Sequence, residues 1–308
     1  MRALSYSAYG DPGSLSLTEL PTPKVAPGAV LIQVHRAAVN PVDWKLMAGG
    51  LDGMIDVVFP VVPGWDVTGT VAALGPDVPE FQVGQRVAAY ARKDVVSGGT
   101  YAEYVAVPAT SVAAVPEGVS DEAAAGLPLA GLTALRSLEA LDPLGPGDTV
   151  LIHAASGGVG HLAAQLAVAA GATVLGTASE ANHERLRALG VTPLSYGEGL
   201  PDRVREHAPD GVTAVADFVG GVLDDTLAVL RPGGRHVSIA DPGVAEAGGR
   251  WIWVRPDGAR LATLLRLVAE GSLRVEIDRV FPLAEGAEAL ALSRDGQARG
   301  KLIIDVTR

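Results

Sequence analysis

The 308-residue sequence predicts an α/β protein in which a doubly wound parallel sheet is inserted into a mainly β domain built from both ends of the chain. Three observations predict it. Residues 1–120 carry short β-like runs, among them VLIQVHRAAV, VTGTVAALG and QRVAAYA, separated by Pro and Gly. From residue 121 the pattern changes to alternating helix and strand, as a parallel sheet covered on both faces requires. After residue 257 an amphipathic helix, ARLATLLRLVAEG, leads into a β-like tail that matches the first segment better than the middle one. These shifts set the expected domains at 1–120 and 258–308, with 121–257 inserted between them.

Within the inserted segment, DEAAAGLPLAGLTALRSLEAL reads as helix and residues 149–160, TVLIHAASGGVG, as a strand running into a glycine-rich turn. HLAAQLAVAAGA continues it as a helix, and a second apolar strand begins at residue 173, which completes a βαβ unit. Gly157 and Gly158 allow a tight turn and close backbone approach to a diphosphate, and Gly160 allows the helix to pack on the strand. The first N–H groups of that helix offer an anion site. The G-x-G-x-x-G fingerprint starts here on Ala155, and its strand and helix context marks Ser156, Gly157, Gly158, Val159 and Gly160 as candidates for binding a dinucleotide. ANHERLRALG and DDTLAVLRPG follow as helices, AVADFVG and GRHVSIA as strands, and GVAEAGGR as a surface loop.

A net charge of -11 opposes binding to nucleic acid or to anionic membranes. The chain has no cysteine, which excludes disulfides and thiolate ligands, and its six histidines (35, 153, 161, 183, 207, 236) show no ligand spacing, so no metal is expected. No apolar run reaches the roughly 18 residues of a membrane span, and a cytoplasmic enzyme is the expectation.

The motifs Asn40-Pro41-Val42-Asp43, Pro63-Gly64-Trp65-Asp66, GGTYAEYVAVPA from Gly98, GLTAL from Gly131, AASGGVG and ARGKLIIDV occur in one order along the chain. In these the sequence resembles, over essentially its whole length, the zinc-independent, zeta-crystallin-like quinone oxidoreductases of the medium-chain dehydrogenase/reductase superfamily. The resemblance implies a GroES-like catalytic domain around a Rossmann domain. Zinc alcohol dehydrogenases of the superfamily have a ligating Cys where Asn40 stands and Gly-His-Glu where Gly64-Trp65-Asp66 stands. A catalytic zinc needs three converging N, S or O donors, and the replaced residues do not supply them.

The end of the second strand, where an NAD enzyme carries a ribose-binding carboxylate, is Ala178 by this resemblance. With Ser179 beside it the position favours NADPH. His183 stands where the family has a phosphate-binding Lys, and Tyr196 matches a family Tyr; a neutral His holds phosphate less well as pH rises. Arg185 and Arg187 are possible compensating cations. Thr133, Val219, Ile239 and Ala240 are the further cofactor positions that the resemblance implies.

The implied reaction is hydride transfer from NADPH to a small hydrophobic electrophile, a quinone or an α,β-unsaturated carbonyl, which accepts hydride without Lewis-acid help. Asn40 is the candidate for holding the acceptor oxygen, Asp43 for anchoring the loop, and Trp44 for an aromatic wall against a flat acceptor. The segment LMAGGLDGMIDVVFPVVP reads as an apolar lid, and it has no Tyr between Trp44 and Trp65 to act as the proton donor that enoyl-thioester reductases use. Alternatives are an enoyl or alkenal double-bond reductase of secondary metabolism and a non-enzymatic NADPH-binding protein. The resemblance also implies a homodimer, with GRWIWVRPD as the pairing edge strand.

Overall fold

The computed structural model describes residues 1–142 and 144–308. The chain divides into two compact units, Met1–Leu132 with Arg255–Arg308, and Thr133–Val254. The domain limits read from composition, 120/121 and 257/258, stand beside observed divisions at 132/133 and 254/255.

The first unit is mainly β, as the Val- and Ile-rich runs require. Among the described residues its large sheet has seven strands. The order is Ile277–Pro282, Lys301–Asp305, Ala29–Ala38, Asp66–Leu74, Arg86–Tyr90 and Val112–Ala114, and Tyr104–Pro108 also pairs with Ala29–Ala38. The two C-terminal strands pair in parallel and the remaining pairs are antiparallel. Register aligns Ile303 with Ala38, Ala38 with Asp66, and Asp66 with Tyr90. The residues just beyond these positions therefore leave the sheet at one end, which places Asn40 beside Asp66. The tail read as β contains a helix, Gly286–Arg294, whose buried Gly286, Ala289 and Leu290 recur at the i, i+3, i+4 spacing of a helix rather than alternating.

The second unit carries a six-stranded parallel sheet among the described residues, in the order Thr192–Ser195, Thr173–Ala178, Thr149–His153, Val212–Asp217, Leu230–Ser238, Arg250–Trp251. Its core is aliphatic, with Leu151, Leu175, Leu194, Val204, Val215 and Val229 buried together. The residues read as one long helix form two, Asp121–Gly126 in the first unit and Pro128–Ala140 across the division at 132/133; Pro128 cannot donate the backbone bond that would join them. Ser120 caps the first, accepting from Ala123 N at 3.2 Å. The expected edge strand over GRWIWVRPD is only two residues long, Arg250–Trp251. No helix among the described residues is long and apolar enough to cross a membrane.

Candidate active site

In the second unit the parallel register brings all strand ends to one edge: His153 lies beside Asp217, Ala178 beside Ser195, and Asp217 beside Ser238. Ligands of doubly wound sheets bind at this carboxyl edge. The loop of Ser156, Gly157, Gly158 and Val159 leaves it between Thr149–His153 and the helix Gly160–Ala169. A Cβ at Gly160 would overlap the Ala154 carbonyl oxygen and the Ala155 Cα, so only glycine lets the helix start this close to the strand. The left-handed residue of the loop is Ala154 (φ 54°), so the tight turn expected of Gly157 and Gly158 is made there and not on a glycine. Thr177 holds that strained residue, its Oγ1 accepting from Ala154 N at 3.0 Å and its carbonyl from Ala155 N at 2.9 Å. The buried His161 ring bonds the Gly157 carbonyl through Nδ1 at 2.9 Å and braces the other side.

Val219, Ile239 and Ala240 lie on the same edge, and one pair of side chains holds their loops. Asp217 Oδ1 accepts from the N–H groups of Val219 and Gly220 at 2.8 and 2.9 Å, while Ser238 Oγ donates to Asp217 Oδ2 at 2.7 Å. Ser238 Oγ in turn accepts from Ala240 and Asp241 N–H. Buried Asp217 thus couples two adjacent strand-end turns, a role the sequence reading did not identify. Ser179 and Tyr196 directly follow the paired residues Ala178 and Ser195; Ser179 Oγ accepts from Asn182 Nδ2, and Tyr196 is exposed. His183 reaches back toward the Ala178 carbonyl, with Nε2 at 3.4 Å. Thr133 is buried and its hydroxyl has no hydrogen-bond partner. A loop whose Gly160 is closed to any Cβ, two strand-end turns held in place by Asp217 and Ser238, and an orphaned buried hydroxyl fit a dinucleotide.

In the first unit Asn40 and Asp43 come together, but in a buried network. Asn40 precedes the helix Pro41–Met47, and its N–H donates to Asp43 Oδ2 at 2.8 Å, closing the first turn. Tyr101 OH donates to the same oxygen at 2.9 Å. Asn40 Nδ2 donates to Asp66 Oδ2 at 2.9 Å and to the Ala38 carbonyl at 3.4 Å. Its Oδ1 accepts from Lys301 Nζ at 2.6 Å. Lys301 also donates to the Val39 carbonyl at 3.1 Å and lies 3.8 Å from Asp66, whose other oxygen accepts from Leu129 N–H at 2.8 Å. Asn40, expected to hold the acceptor oxygen through its amide N–H, here directs that N–H to Asp66 and the Ala38 carbonyl, while Lys301 bonds its oxygen and orients the amide. Gly64, at φ 93°, sits against Tyr101 and Thr100 where a Cβ would clash, which explains the glycine of the PGWD motif.

Burial dominates the electrostatics of this network. It raises Asp43 to about 7, although the Asn40 N–H and the Tyr101 hydroxyl oppose the shift. It raises Asp66 to about 6 against the pull of the Lys301 ammonium, and it lowers Lys301. Lys301, Asp66 and Tyr101 were not among the residues chosen from sequence as site residues; their motifs were visible, but nothing local indicated that they meet. Trp44 departs from the group. It lines a surface cavity of about 450 Å³ with Tyr9, Gly10, Asp11, Pro12, Ala48 and Arg294, none of them in the Asn40 network, so the three expected catalytic residues are not brought to one place.

Comparison with known proteins places this arrangement. Residues 26–117 match the family model of the alcohol dehydrogenase GroES-like domain, and residues 189–304 that of a zinc-binding dehydrogenase. The chain is similar to a chloroplast envelope quinone oxidoreductase homolog of Arabidopsis thaliana, 31% identical over 99% of this chain and 98% of the relative. It is also similar to the solved quinone oxidoreductase of Coxiella burnetii, 35% identical with a TM-score of 0.88 over 99% of each chain. The chain belongs to the quinone oxidoreductases of the medium-chain dehydrogenase/reductase superfamily. The chain is also similar to an NADPH-dependent alkenal/one oxidoreductase of Arabidopsis thaliana, 32% identical over 99% of this chain and 79% of the relative.

A superfamily zinc does not fit the donors that this quinone oxidoreductase presents. Trp65 has no ligating atom, and the Asn40 oxygen is already bonded to an ammonium. Among the described residues, no group of three or more His, Cys, Asp or Glu is arranged to hold a metal ion.

Proposed function

We propose that this protein is a zinc-independent oxidoreductase that uses NADPH to reduce quinones or α,β-unsaturated carbonyls. The observation that carries the reading is the bond from Lys301 to Asn40 Oδ1. It engages the side-chain oxygen of the residue that stands where the superfamily's zinc alcohol dehydrogenases have a ligating Cys, which favours acceptors that are electrophilic without Lewis-acid help. A quinone or enone meets that need; a simple ketone does not.

NADPH would be held by the loop of Ser156, Gly157, Gly158, Val159 and Gly160, by Thr133, by the strand-end residues Val219, Ile239 and Ala240, and at its ribose end by Ser179, His183 and Tyr196. Bound there, it supplies the hydride. Asp217 and Ser238 keep the two flanking turns rigid, so binding needs little reordering of the loops. Asn40, Asp43, Asp66 and Lys301 fix the start of the helix Pro41–Met47 and the chain entering the apolar 48–62 segment, which shields the acceptor from water. That segment contains no tyrosine, so water supplies the proton that completes reduction to the quinol or saturated carbonyl.

We assign a homodimer to the edge formed by Arg250–Trp251. Trp251 is 39% exposed on an unpaired sheet edge and its ring lies 6.1 Å from that of Trp253, an arrangement that a second copy would cover. Light scattering of the purified protein tests this; a monomer at micromolar concentration contradicts it.

Product analysis after incubation with NADPH and a panel of quinones, enals, enones and simple ketones tests the reaction. Quinol or a saturated carbonyl is expected, with simple ketones unchanged. Ketone reduction to alcohol would contradict the reading.

A further inference from the structure

The edge where Ser179 and Tyr196 emerge holds a cation that neither the motifs nor the family positions indicate. Arg203, on the helix Leu200–Arg205, donates from Nε to the Ser195 carbonyl at 3.0 Å and from Nη2 to the Gly197 carbonyl at 3.1 Å, the two carbonyls that flank Tyr196. Its Nη1 faces Gly199, where an added Cβ would lie 3.2 Å from it. Among the described residues no carboxylate pairs with Arg203, whereas Arg205 on the same helix pairs with Asp202 at 3.4 Å. Ser195 is aligned with Ala178 across the parallel pair. The guanidinium is therefore locked at the turn that lies one strand away from Ser179 and His183.

We propose that Arg203 is the fixed positive charge that selects the 2'-phosphate of NADPH. This rests on the NADPH reading above and supplies what His183 does not. The His183 ring reaches back to the Ala178 carbonyl, with Nε2 at 3.4 Å. A guanidinium remains charged at any working pH, and its two carbonyl bonds hold it in place before a ligand arrives, so less rotamer entropy is lost on binding. Arg185 is less suited because its Nη1 already bonds Asn182 Oδ1 at 3.3 Å. Glu180 and Glu198, both exposed near this edge, oppose a phosphate. With Ala178 in place of a ribose-binding carboxylate, selection depends on a cation able to outweigh them, and an arginine close to the ribose is the physical solution for a 2'-phosphate.

Calorimetric dissociation constants test the assignment without relying on turnover. The ligands are NADPH, NADH, adenosine 2',5'-bisphosphate and AMP, and the proteins are wild type, Arg203→Met, Arg203→Lys and Arg205→Met. Arg203→Met should weaken NADPH and the bisphosphate by about tenfold or more while NADH and AMP move by less than about twofold. Arg203→Lys should lie between wild type and Arg203→Met, and Arg205→Met should match wild type. Equal weakening of NADH and NADPH in Arg203→Met would make Arg203 only a brace for the 195–197 turn. An unchanged NADPH constant would remove it from the site. Wild type favouring NADPH while Arg203→Met keeps the same ratio sinks this assignment alone; wild type favouring NADH sinks the NADPH reading with it.

Discussion

The Lys301 ammonium lies 2.6 Å from Asn40 Oδ1 across 261 residues of sequence, and it ties the last strand of the chain to the start of the helix Pro41–Met47. The bond sets which way the Asn40 amide faces: oxygen to the cation, nitrogen to the Asp66 carboxylate. Every member of the network is buried, so each depends on its partners for the hydrogen bonds that water would otherwise supply.

Removing Lys301 should therefore cost far more than a surface lysine. Lys301→Met leaves Asp66 buried without its cation, and the expected loss is about 3–5 kcal/mol in urea unfolding. Adding Asp66→Asn to that variant should recover part of the loss, because the stranded charge is then gone. A loss below about 1 kcal/mol in the single variant would show that the ammonium does not sustain the network.

Asp43 gives a pH signature. Its native value of about 7 lies above its unfolded value near 3.9, so between those limits the folded state binds the extra proton and stability falls as pH rises. Asp43→Asn keeps an oxygen to accept from Tyr101 and the Asn40 N–H but does not titrate. The melting temperature of wild type relative to this variant should be highest near pH 4, decline as pH rises from there to about 7, and level off above it. Parallel profiles would contradict a raised Asp43.

Asp121 has the opposite sign. The bond from His35 at 3.0 Å, aided by Arg86, lowers its carboxyl to about 2. Its contribution is present above about pH 4 and disappears as pH falls through about 2. Asp121→Asn should be less stable than wild type at neutral pH and converge with it in strong acid, a comparison that chemical denaturation at several pH values makes directly.

Ser238→Ala removes the bridge between the two strand-end turns and leaves an Asp217 oxygen buried without its donor. The expected cost is about 1–3 kcal/mol in stability, together with a higher dissociation constant for NADPH. Retained cofactor affinity would show that the Asp217 link serves folding alone.

The fold class was legible because each half has its own period: alternating β runs broken by Pro and Gly, then strands and helices in turn. The nucleotide loop was legible for the same reason, since strand, glycine turn and helix are neighbours in sequence. The Asn40 network was only half legible. Asn40 and Asp43 lie one helical turn apart, but Asp66, Tyr101 and Lys301 join them through sheet register, which no local pattern encodes. Trp44 was read as an aromatic wall against a flat acceptor; one residue along a helix turns a side chain about 100° from Asp43, and it faces the Tyr9 and Arg294 cavity instead. Arg203 was invisible because its bonds go to backbone carbonyls.

The most direct measurement is the initial rate of NADPH oxidation, followed by absorbance, by the purified protein with a small quinone, with and without a metal chelator, and again with NADH. Quinone-dependent oxidation is expected, faster with NADPH than with NADH and unchanged by the chelator. Loss of the rate on chelation, or no turnover while NADPH binds tightly, would contradict it.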